Sequence, residues 1–149
     1  MRVKTFKMRK NAKLPVRAHT TDAGMDFFFA PKDNAPLLVH PGHSCVLETG
    51  VKVEVPEGHM LQIMNKSGIA SKRSIVTGAC VVDRGYDGEI FVNLHNIGRE
   101  TQICEPGTKI AQGVFIRIST PSLLEIEEDK IYATGTDRGT GGFGSTGDV

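Results

Sequence analysis

The sequence predicts an all-β domain, a sandwich or a barrel. Three observations carry that expectation: short apolar or alternating segments recur at close spacing, turn residues punctuate them, and almost nothing has helical character. At 149 residues the chain has the size of one domain with a sizeable core.

The elements follow in order. Arg2 to Lys7 opens a basic stretch that runs to Arg17 and reads as a solvated edge strand, whose charge resists edge-to-edge association. Met25 to Phe29 is the next strand. Pro41-Gly42 then leads into Ser44 to Val55, and Pro56-Glu57-Gly58 into Met60 to Asn65. Proline supplies a fixed φ at such turns and glycine tolerates a positive one. Ser67 to Ser74 is the one helix candidate, about two turns long and in need of tertiary packing. Strands are expected again over Ser74 to Val82, Glu89 to His95 after Asp87-Gly88, Lys109 to Ile118 after Pro106-Gly107, and Leu123 to Glu127.

Lysine and arginine number 18 and acidic residues 17, a net charge of +1. That balance argues against a nucleic-acid or membrane partner recognised by bulk charge. No apolar run is long enough to span a bilayer and no signal-peptide core follows the basic start, so a soluble cytoplasmic or otherwise intracellular protein is expected. Cys45, Cys80 and Cys104 are too few and too scattered for a disulfide framework and read as free thiols. The five histidines show no ligand spacing, which gives zinc little support.

Arg138 to Gly147, RGTGGFGSTG, differs from everything before it. Glycines and hydroxyls can wrap backbone N–H groups around anionic oxygens, and Arg138 adds a charged fork. Gly139, Gly141 and Gly144 match GxGxxG, but no helix follows for a dinucleotide site to open, and no lysine stands where a P-loop needs one. Composition alone leaves a phosphate cradle and a frayed terminus both open. Phe143 favours the cradle, because an aromatic ring there can stack on a base.

This tail resembles the fifth motif of the trimeric dUTPases, and four more stretches resemble that family's motifs in order: Ala23 to Phe27, Asn65 to Ala70, Gly78 to Glu89, and Gly107 to Gln112. The resemblance implies a jelly-roll-like β-sandwich over residues 1–137, closed by a substrate-covering tail over 138–149, in a homotrimer with shared active sites. It implies hydrolysis of dUTP to dUMP and pyrophosphate, with Asp83 activating the water that attacks the α-phosphorus. Standing alone, Asp83 would read as a turn cap. Mg2+ is the implied cofactor, held mainly by phosphates and waters, with Asp26 reaching its water shell.

The same resemblance places Lys66, Ser67, Gly68 and Gln112 on phosphate, the backbone of Thr77, Val81 and Val82 along uracil, and Phe91 over part of the base. Tyr86 would pack beneath deoxyribose and leave no space for a 2′-hydroxyl. Arg138, Phe143, Gly144, Ser145 and Thr146 would close over the nucleotide. Lys66 and Lys109 stand where the family usually has arginine, which keeps the charge and loses the bidentate fork. Lys109 by itself reads as a solvated edge residue. Asn65 and Cys80 depart from the family's proline and glycine. Three other readings stay open: a dCTP deaminase of the same fold, a nucleotide-binding regulator, and a structural sandwich.

Overall fold

The computed structural model describes residues 2–132 and 134–142. The chain divides into two units, Met1–Ser119 and Thr120–Val149. The first holds eleven strands and one helix: β1 (Thr5–Lys7), β2 (Met25–Phe28), β3 (Leu37–Val39), β4 (Ser44–Glu48), β5 (Val51–Val53), β6 (His59–Met64), α1 (Ser67–Arg73), β7 (Ile75–Thr77), β8 (Val81–Val82), β9 (Phe91–Asn96), β10 (Gln102–Cys104) and β11 (Lys109–Arg117). All the pairings are antiparallel.

Period-two alternation builds the two main sheets, since successive side chains on a strand point to opposite faces. On β6 it turns Leu61 and Ile63 inward, and on β9 Val92 and Leu94. One sheet runs β2-β11-β6-β8 and the other β4-β9-β7, with the pairs β1-β5 and β10-β3 completing a jelly-roll-like sandwich. Phe27, Leu61, Ile63 and Ala111 from the first sheet meet Leu47, Ile75, Val92 and Leu94 from the second in one buried cluster. Fully burying each of the larger side chains contributes about 1.5–3 kcal/mol. Gly113 on β11 is required by this packing, because a Cβ there would lie 2.5 Å from the Phe27 ring and 2.9 Å from Leu61.

The expected helix forms as α1. Lys72 and Arg73 in its last turn complement the helix dipole, and Ser74 ends it in the left-handed region at φ 51°. Three other expectations need correction, and two strands were not expected at all. Ser44 to Val55 is two strands, because Gly50 turns the chain at φ 67° and the buried Thr49 hydroxyl donates to the Ile90 carbonyl. Ser74 to Val82 is also two, and they join different sheets: β7 pairs with β9, β8 with β6. The break falls at Gly78, where a Cβ would strike Asn93 Oδ1 at 2.1 Å.

Leu37–Val39 and Gln102–Cys104 pair as β3 and β10, strands too short for the alternation pattern to reveal. Leu123 to Glu127 forms no strand. In the second unit the described residues hold a 3₁₀ turn at Glu128–Lys130, and Leu123 and Leu124 are exposed, so apolar composition without a ladder partner does not make a strand.

Candidate active site

Asp26 lies on β2 opposite Gln112 of β11, and its side chain is buried. A buried carboxylate needs compensation. Two lysines provide it: Lys66 Nζ donates to Oδ1 at 2.8 Å, and Lys109 Nζ stands 2.6 Å from Oδ2. Burial pushes the Asp26 carboxyl up, but the hydrogen bonds and charges of Lys109 and Lys66 outweigh it and hold the group below its ordinary range. Lys109 is therefore not the solvated edge residue its local sequence suggests. It is one arm of a two-lysine clamp, and the partner that makes it so lies 83 positions earlier.

The clamp has a rigid surround. Gln112 Nε2 donates to the Asn65 carbonyl at 2.9 Å, and its amide oxygen fills the space beside Gly24, where a Cβ would come within 2.1 Å. Asn65 also reaches the other sheet, its Oδ1 accepting from the Thr77 backbone N–H at 2.6 Å and from the Thr77 hydroxyl at 3.1 Å. The asparagine that departs from the family pattern thus ties Gln112 to Thr77. Ser67 and Gly68 follow Lys66 in the first turn of α1. Gly68 is exposed and a Cβ there would touch nothing, so no packing within the chain explains a glycine at this helix position.

Asp83 opens an exposed turn closed by the backbone, with Tyr86 N–H donating to the Asp83 carbonyl at 3.3 Å. Its carboxylate accepts no hydrogen bond among the described residues, so the turn is made without it. Gly85 sits at φ 93°, a conformation that favours glycine. The Tyr86 ring folds over Gly88, and its hydroxyl donates to the Glu89 carbonyl at 2.8 Å.

Val81 and Val82 form β8 at the edge of the four-stranded sheet, where one side of the strand offers backbone groups to a ligand. Phe91 is not brought to that wall. It lies opposite Glu48 on β4 and lines a groove of about 560 Å³ with Phe29, Pro31, Leu37 and Val46. Asn93, two residues on, is a β9 residue that bonds to this region: its carbonyl accepts from Gly78 N–H at 2.9 Å and its Oδ1 from Ala79 N–H at 3.1 Å. Two residues along a strand is roughly 7 Å, enough to move a side chain from one pocket to another while keeping it on the same face.

In the second unit Arg138 is exposed, and its Nε donates to the Gly141 carbonyl at 3.0 Å, with Gly139 at φ 53°. Phe143, Gly144, Ser145 and Thr146 lie outside the described residues. Among the described residues no group of three or more His, Cys, Asp or Glu could hold a metal ion, and no helix is long and apolar enough to cross a membrane. Cys45, Cys80 and Cys104 are free, as expected; burial first and the neighbouring Cys104 second push the Cys45 thiol up to about 11, far from a reactive thiolate.

One end of β6 carries two ammonium groups and an amide around Asp26, and its other end, through β8, an unpaired carboxylate beside an edge strand and an aromatic ring. Such a set suits a nucleotide polyphosphate and an attacking water. Comparison with known proteins agrees. A family model described as dUTPase matches residues 10–147. The deoxyuridine 5′-triphosphate nucleotidohydrolase of Chlamydia trachomatis is 38% identical over 144 residues, covering 95% of this chain and 96% of that protein. The enzyme of that name from Alkaliphilus metalliredigens is 39% identical over 147 residues, covering 97% and 96%. Among solved structures, the Staphylococcus bacteriophage 80alpha dUTPase with dUPNHPP superposes with a TM-score of 0.88 at 29% identity over 98% of each chain.

Proposed function

The chain belongs to the dUTPase family and hydrolyses dUTP to dUMP and pyrophosphate, and on that premise we propose that Asp83 is the base that activates the attacking water. The observation that carries this role is the Asp83 carboxylate itself: exposed, unbonded among the described residues, and fixed in place by a backbone-closed turn. A general base needs that rigidity and must come within about 2.6–3.2 Å of the proton it takes. The water oxygen bonds to the α-phosphorus, the bridging oxygen leaves with pyrophosphate, and Asp83 accepts the proton.

Lys66, Lys109 and Gln112 meet the phosphates, with Ser67 and Gly68 at the start of α1. Thr77, Val81 and Val82 line the uracil edge, and Tyr86 occupies the space a ribose 2′-hydroxyl would need. Arg138 serves as the charged latch of a closing segment that includes Phe143, Gly144, Ser145 and Thr146. Mg2+, if bound there, would supply neutralisation of phosphate charge and polarisation of the phosphorus. The donor set fits an ion carried on phosphates and waters rather than in a protein cage. Asp26 is the carboxylate that would reach its water shell, on condition that phosphate draws a lysine away from it.

Leu123 and Leu124 are exposed in the single chain, apolar surface that a homotrimer with shared sites would cover. Light scattering should then give three times the 16.1 kDa chain mass. The deciding assay offers dUTP, dCTP, dTTP and UTP with and without Mg2+ and separates the products. The expected result is dUMP and pyrophosphate from dUTP, stimulated by Mg2+. Ammonia from dCTP would replace this reading with a deaminase.

A further inference from the structure

Arg9 and Glu89, 80 positions apart in sequence, form a two-pronged ion pair beneath the Asp83–Tyr86 turn, with side chains only 14% and 5% exposed. Arg9 Nη1 donates to Glu89 Oε2 at 3.2 Å and Nη2 to Oε1. Arg9 Nε also donates to the Ala30 carbonyl at 3.3 Å, and Gly50 N–H donates to Glu89 Oε1 at 2.6 Å. Net stability is a poor account of such a pair, because the cost of desolvating two charges offsets most of their attraction. A unique placement of the groups attached to it is a better one.

Tyr86 is attached to it. Residues 83–87 are exposed throughout, and the chain re-enters the core at Glu89 and Ile90. The Tyr86 hydroxyl donates to the Glu89 main-chain carbonyl at 2.8 Å, and the ring lies so close over Gly88 that a Cβ there would come within 2.3 Å of it. The ring therefore takes its position from Glu89, whose side chain is held by Arg9 and Gly50 while the next residue, Ile90, is held by the Val51 carbonyl and the Thr49 hydroxyl. Lys52 Nζ also ties the turn, donating to the Asp87 main-chain carbonyl at 2.7 Å and to its 92% exposed carboxylate at 3.1 Å, but the carboxylate contact is screened by solvent and neither bond reaches the Tyr86 ring.

We propose that the Arg9–Glu89 pair is a specificity-positioning device, which sets how closely the Tyr86 ring approaches the sugar and so how strongly deoxyribose is preferred over ribose. The proposal rests on the sugar-packing role given to Tyr86 above. Neither Arg9 nor Glu89 touches substrate in this account; both act through the tyrosine.

The test is the ratio of kcat/KM for dUTP to that for UTP, which does not depend on the fraction of protein folded. Glu89→Gln keeps the main-chain carbonyl that Tyr86 uses and weakens the fork to Arg9. Its ratio should fall about tenfold, since displacements of about 1 Å in a positioning group can cost on the order of a hundredfold. Tyr86→Ala is measured alongside. An unchanged ratio in Tyr86→Ala removes the sugar role of the tyrosine and this proposal with it. A lowered ratio in Tyr86→Ala with a wild-type ratio in Glu89→Gln, even at reduced activity on both substrates, overturns the anchor alone. Should Glu89→Gln yield no soluble protein, Arg9→Lys, which keeps the charge and loses the fork, is read by the same criterion.

Discussion

The two halves of the site handle charge in opposite ways. On the phosphate side the buried Asp26 carboxylate is fully engaged by Lys66 and Lys109. On the sugar side the buried carboxylate is Glu89, paired with Arg9, while Asp83 above it carries an exposed carboxylate with no hydrogen bond among the described residues. In each half one buried acid organises the cations around it. Among the described residues, Asp83 stands outside both pairs.

If that contrast is right, Asp83→Asn removes function without removing structure. Turnover on dUTP should fall by about 10²–10⁴, the usual contribution of a general base. Affinity for dUTP, read by isothermal titration, and the melting temperature should both stay at wild-type values. A comparable loss of stability would make Asp83 a structural acid like Asp26 and erase the distinction between the halves.

The sequence displays the second half better than the first. Asp83, Tyr86 and the glycines of their turn sit within a few residues of one another, so the family resemblance reads them as one motif, although local chemistry alone would make Asp83 a turn cap. The clamp joins residues 26, 66 and 109, and only the antiparallel register of β2 on β11 makes Lys109 a neighbour of Asp26. The same limit hid Arg9 beneath Glu89. In each case a long-range pairing decides the contact, and a shift of one or two residues along a strand changes which side chain makes it. The fold class was legible because alternation is local. The division of Ser74 to Val82 between two sheets was not, since the sterics that break it at Gly78 come from Asn93 and His95 on another strand.

The clamp itself is probed by Lys66→Met and Lys109→Met. Each removes one ammonium group from the phosphates, and losing a charge-assisted hydrogen bond of about 1.5–3 kcal/mol corresponds to roughly a ten- to hundredfold drop in kcat/KM. Steady-state kinetics should show the loss chiefly in KM, whereas Asp83→Asn shows it in kcat. Identical kinetic signatures for the lysine and aspartate variants would mean that the two halves are not separable in function.

Asp26→Asn should give the smallest effect, and its sign is fixed by the charges around it. With Lys109 and Lys66 on its oxygens, Asp26 titrates below its ordinary value of 3.8 in the folded protein. The folded state then binds that proton less readily than the unfolded chain does. The stabilisation is fully present above about 3.8, the unfolded value, and is lost as pH falls through the lowered folded one. An uncharged amide at this position would carry none of it. Melting temperatures of Asp26→Asn should therefore lie below wild type at pH 7, with the gap narrowing in acid below about 3.8. Glu48, also held low by Lys32 and Arg9 against its burial, remains in the variant and keeps some acid sensitivity in both proteins. A gap that stays constant with pH would mean that packing, not the Asp26 charge, holds the lysines in place, and the phosphate side would then lose its claim to be set before substrate arrives.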